Sequence, residues 1–172
     1  MEKSKWLFLM SGIAGSGKST WIKTHLDANR VTVVSRDQIR NSMVPEREEI
    51  FSKEDDVFAE FIRQIKEGLK DDNEVVIADA THLNPRARVK VLRALGSDLK
   101  GVKTGVVFFK LNEELALKRN DEREGRALVP RSAIRRMACQ FEEPMYEEGF
   151  DLIIAVDGET STSTIIEFEK GE

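Results

Sequence analysis

Short apolar runs rich in β-branched residues recur along this chain, separated by stretches in which apolar positions return every three or four residues. The runs predict strands at 5–11, 31–35, 74–78, 102–110 and 151–156. Val75-Val76-Ile77 and Val106-Val107-Phe108-Phe109 contain no polar residue, as expected of strands covered on both faces. The intervening segments predict helices at 18–28, 36–43, 54–70, 85–96, 112–123 and 131–142, with a short one near 162–169. Some boundaries have a mechanism. Ser35 with Gln38 fits a capping box, and Asn84 before Pro85 fits an N-cap followed by a first-turn proline. Val57, Phe58, Phe61, Ile62, Ile65 and Leu69 fall on one helical face. Strand and helix alternating in this way is the pattern of an α/β fold with a parallel sheet.

The first strand runs into Gly12-Ile13-Ala14-Gly15-Ser16-Gly17-Lys18-Ser19, which matches G-x-x-x-x-G-K-[ST] at every fixed position. Thr20 and the residues after it continue as a helix. Glycines allow a tight turn and close approach to a polyphosphate. The N–H groups of Gly12, Ala14, Gly15, Ser16, Gly17, Lys18, Ser19 and Thr20 can line an anion nest, reinforced by the helix N-terminus. Lys18 can bridge the β- and γ-phosphates and Ser19 can offer its hydroxyl to Mg²⁺. The cofactors expected are therefore ATP, or another nucleoside triphosphate, and Mg²⁺.

Ligands of open parallel sheets gather beyond the carboxyl ends of the strands, so the other strand ends belong to the same cleft. The second strand delivers Arg36-Asp37-Gln38-Ile39-Arg40. Asp37 is a candidate general base for an acceptor hydroxyl, and Arg40, three residues on, a fork for an anionic group on the acceptor. The plainer alternative is a carboxylate that complements the helix dipole and pairs with Arg40 at the surface. The third strand ends in Asp79-Ala80-Thr81-His82. Asp79 can hold Mg²⁺ through water or orient Arg40; it can equally cap the following turn. Thr81 can donate to an acceptor phosphate. His82 and His25 are expected to be structural, His82 at the surface or in a turn. Arg119, Arg123 and Arg126 flank Gly125, as the arginines of a mobile lid over a triphosphate would. Interleaved with Asp121, Glu122 and Glu124, they also fit a solvated charged helix. Met137, Cys139 and Phe141 read as packing.

With 172 residues, 40% hydrophobic and 34% charged, the chain has the composition of a globular domain. No apolar run approaches the ~20 residues of a membrane span, no secretory leader is evident, and no membrane association is expected. One cysteine and two distant histidines exclude an internal disulfide and a Cys/His zinc site, which favours a cytoplasmic setting. A net charge of −4 argues against indiscriminate coating of nucleic acid, but not against a local basic site.

Gly12–Thr20 with Trp21, Ser35-Arg36-Asp37-Gln38-Ile39-Arg40, Asp79-Ala80-Thr81-His82-Leu83-Asn84-Pro85, Lys118-Arg119-Asn120 with Arg123, and Val129-Pro130 together resemble the P-loop polynucleotide 5′-hydroxyl kinases. These are the kinase domains of phage and bacterial nucleic-acid repair enzymes. The resemblance covers nearly the whole chain and implies one domain over 1–172. The fold implied is a three-layer, adenylate-kinase-like P-loop kinase: four to five parallel strands, helices on both faces, and an arginine-bearing lid near 119–131. It further implies Asp37 as general base, Arg40 and Thr81 gripping the phosphate beside the acceptor 5′-OH, and Val129 against the acceptor base. Lys18 and Arg123 would stabilise the transition state, with Arg126 able to exchange roles with Arg123. The implied substrate is a DNA or RNA 5′-OH end, with repair or ligase proteins as possible partners. Ser35 and Ile39 stand where some relatives have Asn and Tyr, and no phosphatase or ligase domain is expected within these 172 residues. Two other functions fit the same motifs: a small-molecule or nucleotide-sugar kinase of the zeta-toxin type, and a nucleotide-dependent switch.

Overall fold

A computed structural model describes residues 4–166. Its strands are β1 (Lys5–Ser11), β2 (Val31–Ser35), β3 (Val75–Asp79), β4 (Val102–Phe109), β5 (Leu152–Val156) and β6 (Ser163–Ile166). Its α-helices are α1 (Lys18–His25), α2 (Arg36–Met43), α3 (Glu54–Gly68), α4 (Pro85–Leu95), α5 (Glu113–Asp121) and α6 (Arg131–Gln140). The sheet has the order β2-β3-β1-β4-β5-β6; the first five strands are parallel and β6 is antiparallel to β5. This is the expected α/β fold with helices around a central sheet, widened by one strand.

Side chains alternate across the sheet and divide the core in two. Leu7, Leu9, Val76, Ala78, Val106 and Phe108 face one side, where Phe61 and Ile65 of α3 and Val91 and Leu95 of α4 cover them. Met10, Ile77, Val107 and Phe109 face the other, against Trp21 and Ile22 of α1. The predicted apolar stripe of α3 is the face that packs, with Val57, Phe61 and Ile65 fully buried. Ser35 Oγ accepts from the Gln38 N–H, which is the outward half of the expected capping box, and Asn84 Oδ1 accepts from the Ala87 N–H at 3.0 Å.

One predicted element is wrong in kind. The short helix expected near 162–169 is, over its described part, the edge strand β6; 167–169 lie outside the described residues. Thr160-Ser161-Thr162-Ser163-Thr164-Ile165-Ile166 is rich in β-branched residues, which pack poorly on a helix and well on a pleated edge. β5 would otherwise present an unpaired row of N–H and C=O groups there. Among the described residues, no helix is long and apolar enough to cross a membrane.

Candidate functional site

The segment from β1 to α1 forms the glycine-bearing strand-to-helix turn its sequence predicts. Gly15 and Gly17 have φ of 81° and 102°, left-handed values that other residues reach only with strain. A Cβ at Gly15 would lie 2.5 Å from the Ala116 carbonyl oxygen of α5, so the loop and that helix touch backbone to backbone. Gly17 caps α1, which opens on Lys18, Ser19 and Thr20. Lys18 Nζ curls over the loop and donates to the carbonyls of Gly12 (2.8 Å) and Ile13 (2.9 Å). Desolvation by the loop lowers the Lys18 ammonium to about 8, against the opposing pull of the Asp79 and Asp37 charges; Arg123 lowers it further. The structure thus brings Asp37, Asp79 and Arg123 within electrostatic reach of Lys18.

The β2–β3 register sets Ser35 opposite Asp79, so α2 starts beside the end of β3. Arg40 ion-pairs with Asp37, but its larger commitment is to a residue that sequence reasoning missed, Glu54 at the start of α3. Arg40 Nε and Nη2 reach the two Glu54 oxygens at 2.5 and 3.1 Å, and Arg36 Nη2 reaches Glu54 at 2.9 Å. Burial alone would raise the Glu54 carboxyl. The Arg40 hydrogen bonds, with the Arg40 and Arg36 charges, outweigh it and hold the group below its ordinary value. Phe51 and Phe58 lie under the Arg40 and Arg36 guanidiniums, at 5.1 and 5.5 Å from the ring centroids. Arg40 is therefore oriented by Glu54 and Asp37 rather than by Asp79. Asp79 is pushed up by burial and by Asp37, with Lys18 opposing.

Thr81 lies next to the phosphate loop, because its carbonyl accepts from the Gly12 N–H at 2.8 Å. His82 corrects the expectation of a surface histidine. It is 4% exposed, with φ of 38° and Nδ1 2.6 Å from the Met10 carbonyl, so Nδ1 carries a proton and donates it there. Burial lowers its pKa to about 4, with the Met10 bond opposing and the Arg36, Lys18 and Arg88 charges adding. The unfolded group titrates near 6.5, so the unfolded chain binds the extra proton between that pH and about 4. Stability should be fully present above pH 6.5 and fall by about 3 kcal/mol as pH drops to about 4. Urea unfolding at stepped pH would show this slope, and His82→Gln should flatten it.

The arginines after α4 separate. Arg119 donates to the carbonyls of Ser16 (3.3 Å) and Gly158 (2.7 Å), fastening the β5–β6 turn to the phosphate loop. A Cβ at Gly158 would fall 2.5 Å from the Ser16 carbonyl oxygen, so that contact needs glycine. Arg126 reaches across to the end of α2 and donates to the carbonyls of Val44 and Pro45, at 2.7 and 2.6 Å. Arg123 is exposed and senses Lys18. Asn120, fully buried, pins the segment at its far end by bonding both the N–H and the carbonyl of Val129. Cys139, expected to pack, is exposed.

A divalent cation fits this donor set. Ser19 offers an exposed hydroxyl at the start of α1, and Asp79 a carboxylate beside Lys18. Among the described residues no cluster of three or more His, Cys, Asp or Glu forms a complete cage. Mg²⁺ needs none, because one or two protein oxygens, water and substrate phosphates complete its octahedron.

A parallel sheet of this order, with a G-x-x-x-x-G-K-S turn at the end of its central strand, defines a P-loop domain of the kinase type. The chain belongs to the AAA_33 family, whose model, described as an AAA domain, matches residues 7–144. No curated protein sequence matches it. Solved structures share its fold. The Pnkp1/Rnl/Hen1 RNA repair complex matches at 24% identity and a TM-score of 0.64, over 81% of this chain and 45% of that one. This chain thus spans less than half of that protein. A gluconokinase from Sinorhizobium meliloti 1021 matches at 22% and 0.59, over 91% and 84%. The PezAT toxin–antitoxin system of Streptococcus pneumoniae matches at 15% and 0.61, over 94% and 70%.

Proposed function

We propose that this protein transfers the γ-phosphoryl group of ATP to the 5′-hydroxyl end of DNA or RNA. The observation that carries the reading is the convergence of Arg36 and Arg40 on one carboxylate beside Asp37. Glu54 holds the two guanidiniums side by side, and the N–H groups of their forks that it leaves unused can take a phosphodiester, which a 5′-OH end carries next to the reacting hydroxyl. The specific R-D-x-x-R and D-x-T-x-L-N-P motifs support the same acceptor.

Asp37 takes the proton of the hydroxyl as its oxygen bonds the γ-phosphorus, and the bond from that phosphorus to the β–γ bridging oxygen breaks, leaving ADP. Arg40 and Thr81 grip the neighbouring phosphate, and Val129 lies against the terminal base. Lys18 and Arg123 offset the charge developing on the transferred group, while Arg119 holds the loop that cradles it. Ser19 and Asp79 would hold Mg²⁺, which would supply positive charge against the triphosphate. Residues 119–131 act as a lid that excludes water, Arg126 being its latch to α2. Repair proteins that ligate the 5′-phosphate, in a cytoplasmic setting, belong to the same proposal.

Radiolabelled ATP with Mg²⁺ and a 5′-OH oligonucleotide, beside sugars, nucleosides and free nucleotides, tests this reading. Label should enter the oligonucleotide. Label entering only a sugar or a free nucleotide would overturn it.

A further inference from the structure

Helix α4, Pro85 to Leu95, carries Arg86, Arg88, Lys90 and Arg93 and no acidic residue, in a chain whose net charge is −4. Arg88 points inward and is consumed by Glu148. Arg86, Lys90 and Arg93 are exposed and fall at i, i+4 and i+7, along one face. Neighbouring surface cations are paired: Arg63 holds Glu60 and Glu67, and Lys66 holds Asp98. Arg86, Lys90 and Arg93 make no ion pair with a described residue. A solvated helix normally interleaves both signs, so an unrelieved row of one sign calls for a ligand of the other.

The row is continuous with the candidate acceptor site. Asn84 caps α4 at the carboxyl edge of the sheet, three residues after Thr81, so Arg86 stands nearest the cleft and Lys90 and Arg93 lead away. Lys90 Nζ lies 4.3 Å from the Phe58 ring centroid, and the Arg36 guanidinium carbon 5.5 Å from the same centroid. The two charges therefore lie within about a Debye length of about 10 Å, and act as one field. From Arg86 to Arg93 is about 10 Å of helix, the axial length over which one strand of B-form DNA carries about three phosphates.

We propose that Arg86, Lys90 and Arg93 form a phosphate-tracking surface for the nucleic-acid strand leaving the acceptor cleft. The inference rests on the proposed function, and gives the chain a reason to prefer a polynucleotide over a mononucleotide. A nucleoside 3′-phosphate would fill the cleft at Arg40 and stop short of α4. Longer acceptors would add the phosphates that α4 reads, without regard to sequence.

Two readouts on the triple variant Arg86→Gln, Lys90→Gln, Arg93→Gln test this. Anisotropy with a labelled 12-nucleotide 5′-OH strand should show at least about tenfold weaker binding at low salt, with log K against log salt shallower by about 2. In the kinase assay, kcat/KM should fall on the 12-mer and stay level on the nucleoside 3′-phosphate. Unchanged 12-mer binding in the variant, with transfer by the parent intact, overturns the surface and leaves the kinase reading standing. Parent protein that binds the 12-mer through these residues but labels only a sugar retains the surface and overturns the kinase reading. An acidic peptide of equal charge bound more tightly than the 12-mer would also overturn the phosphate-tracking surface.

Discussion

Asp37→Asn should lower kcat on an oligonucleotide acceptor by about 10²- to 10⁴-fold, the range that a positioned general base supplies. ATP affinity should stay near normal, because Asp37 ion-pairs with Arg40 and reaches the phosphate loop only through its charge on Lys18. The fold should be undisturbed too. The Asp37 side chain is 86% exposed, and an exposed ion pair is worth about 1 kcal/mol at most. Glu54 keeps Arg40 in place when Asp37 is neutralised. Single-turnover kinetics with calorimetric ATP binding separate these effects. Lost ATP binding would make Asp37 part of the nucleotide or metal site, and a mild drop in kcat would reduce it to a surface partner of Arg40.

The largest stability effect is expected at Arg88→Ala. Arg88 is 0% exposed and forks onto Glu148, itself 4% exposed, through Nε at 2.7 Å and Nη2 at 2.8 Å. Its remaining nitrogen donates to the carbonyls of His82 and Glu142 and to Ser11 Oγ. Truncation would leave the buried Glu148 carboxylate without its cation, holding only the Met145 N–H, and would take the Arg88 donor from the Glu142 carbonyl, while Ser11 Oγ still serves that of His82; the expected loss is about 3–5 kcal/mol. Equilibrium urea unfolding would measure it. Replacing both partners with apolar residues of similar volume should recover much of the loss, because the desolvation cost disappears with the charges. Full stability in Arg88→Ala would show that water replaces the guanidinium.

These two residues differ in how far the chain's order of residues gives them away. The Asp37–Arg40 pair was legible because its evidence is local: a strand, a cap and an i,i+3 arginine lie within six residues of one another. The helix bounds at 36–43 and the Asn84 cap were legible for the same reason. Arg88 looked like any helical arginine, since its partner lies sixty residues away and becomes its neighbour only when a 3₁₀ turn over Tyr146–Glu148 packs under α4. Glu54 was hidden likewise, being one of three consecutive acids in the first turn of α3, any of which suits a helix N-terminus. Facing Arg36 and Arg40 distinguishes it, and only the α2–α3 packing shows that. Asn120 stood inside a motif, yet its hold on Val129 follows from how the loop returns. His82 was misplaced because its left-handed backbone turns the ring inward beneath Met10.

The strand order has an evolutionary consequence. β1 divides the carboxyl edge of the sheet, with β3 and β2 on one side and β4 and β5 on the other. Asp37, Arg40, Glu54, Thr81 and Arg86 all hang from the first half, and Arg119 and Gly158 from the second. Under the proposed function, a lineage can rewrite the first half to accept a new alcohol while the second continues to steady the same glycine-rich loop. Only ties that cross the divide, such as Arg126 to Val44, must be renegotiated when it does.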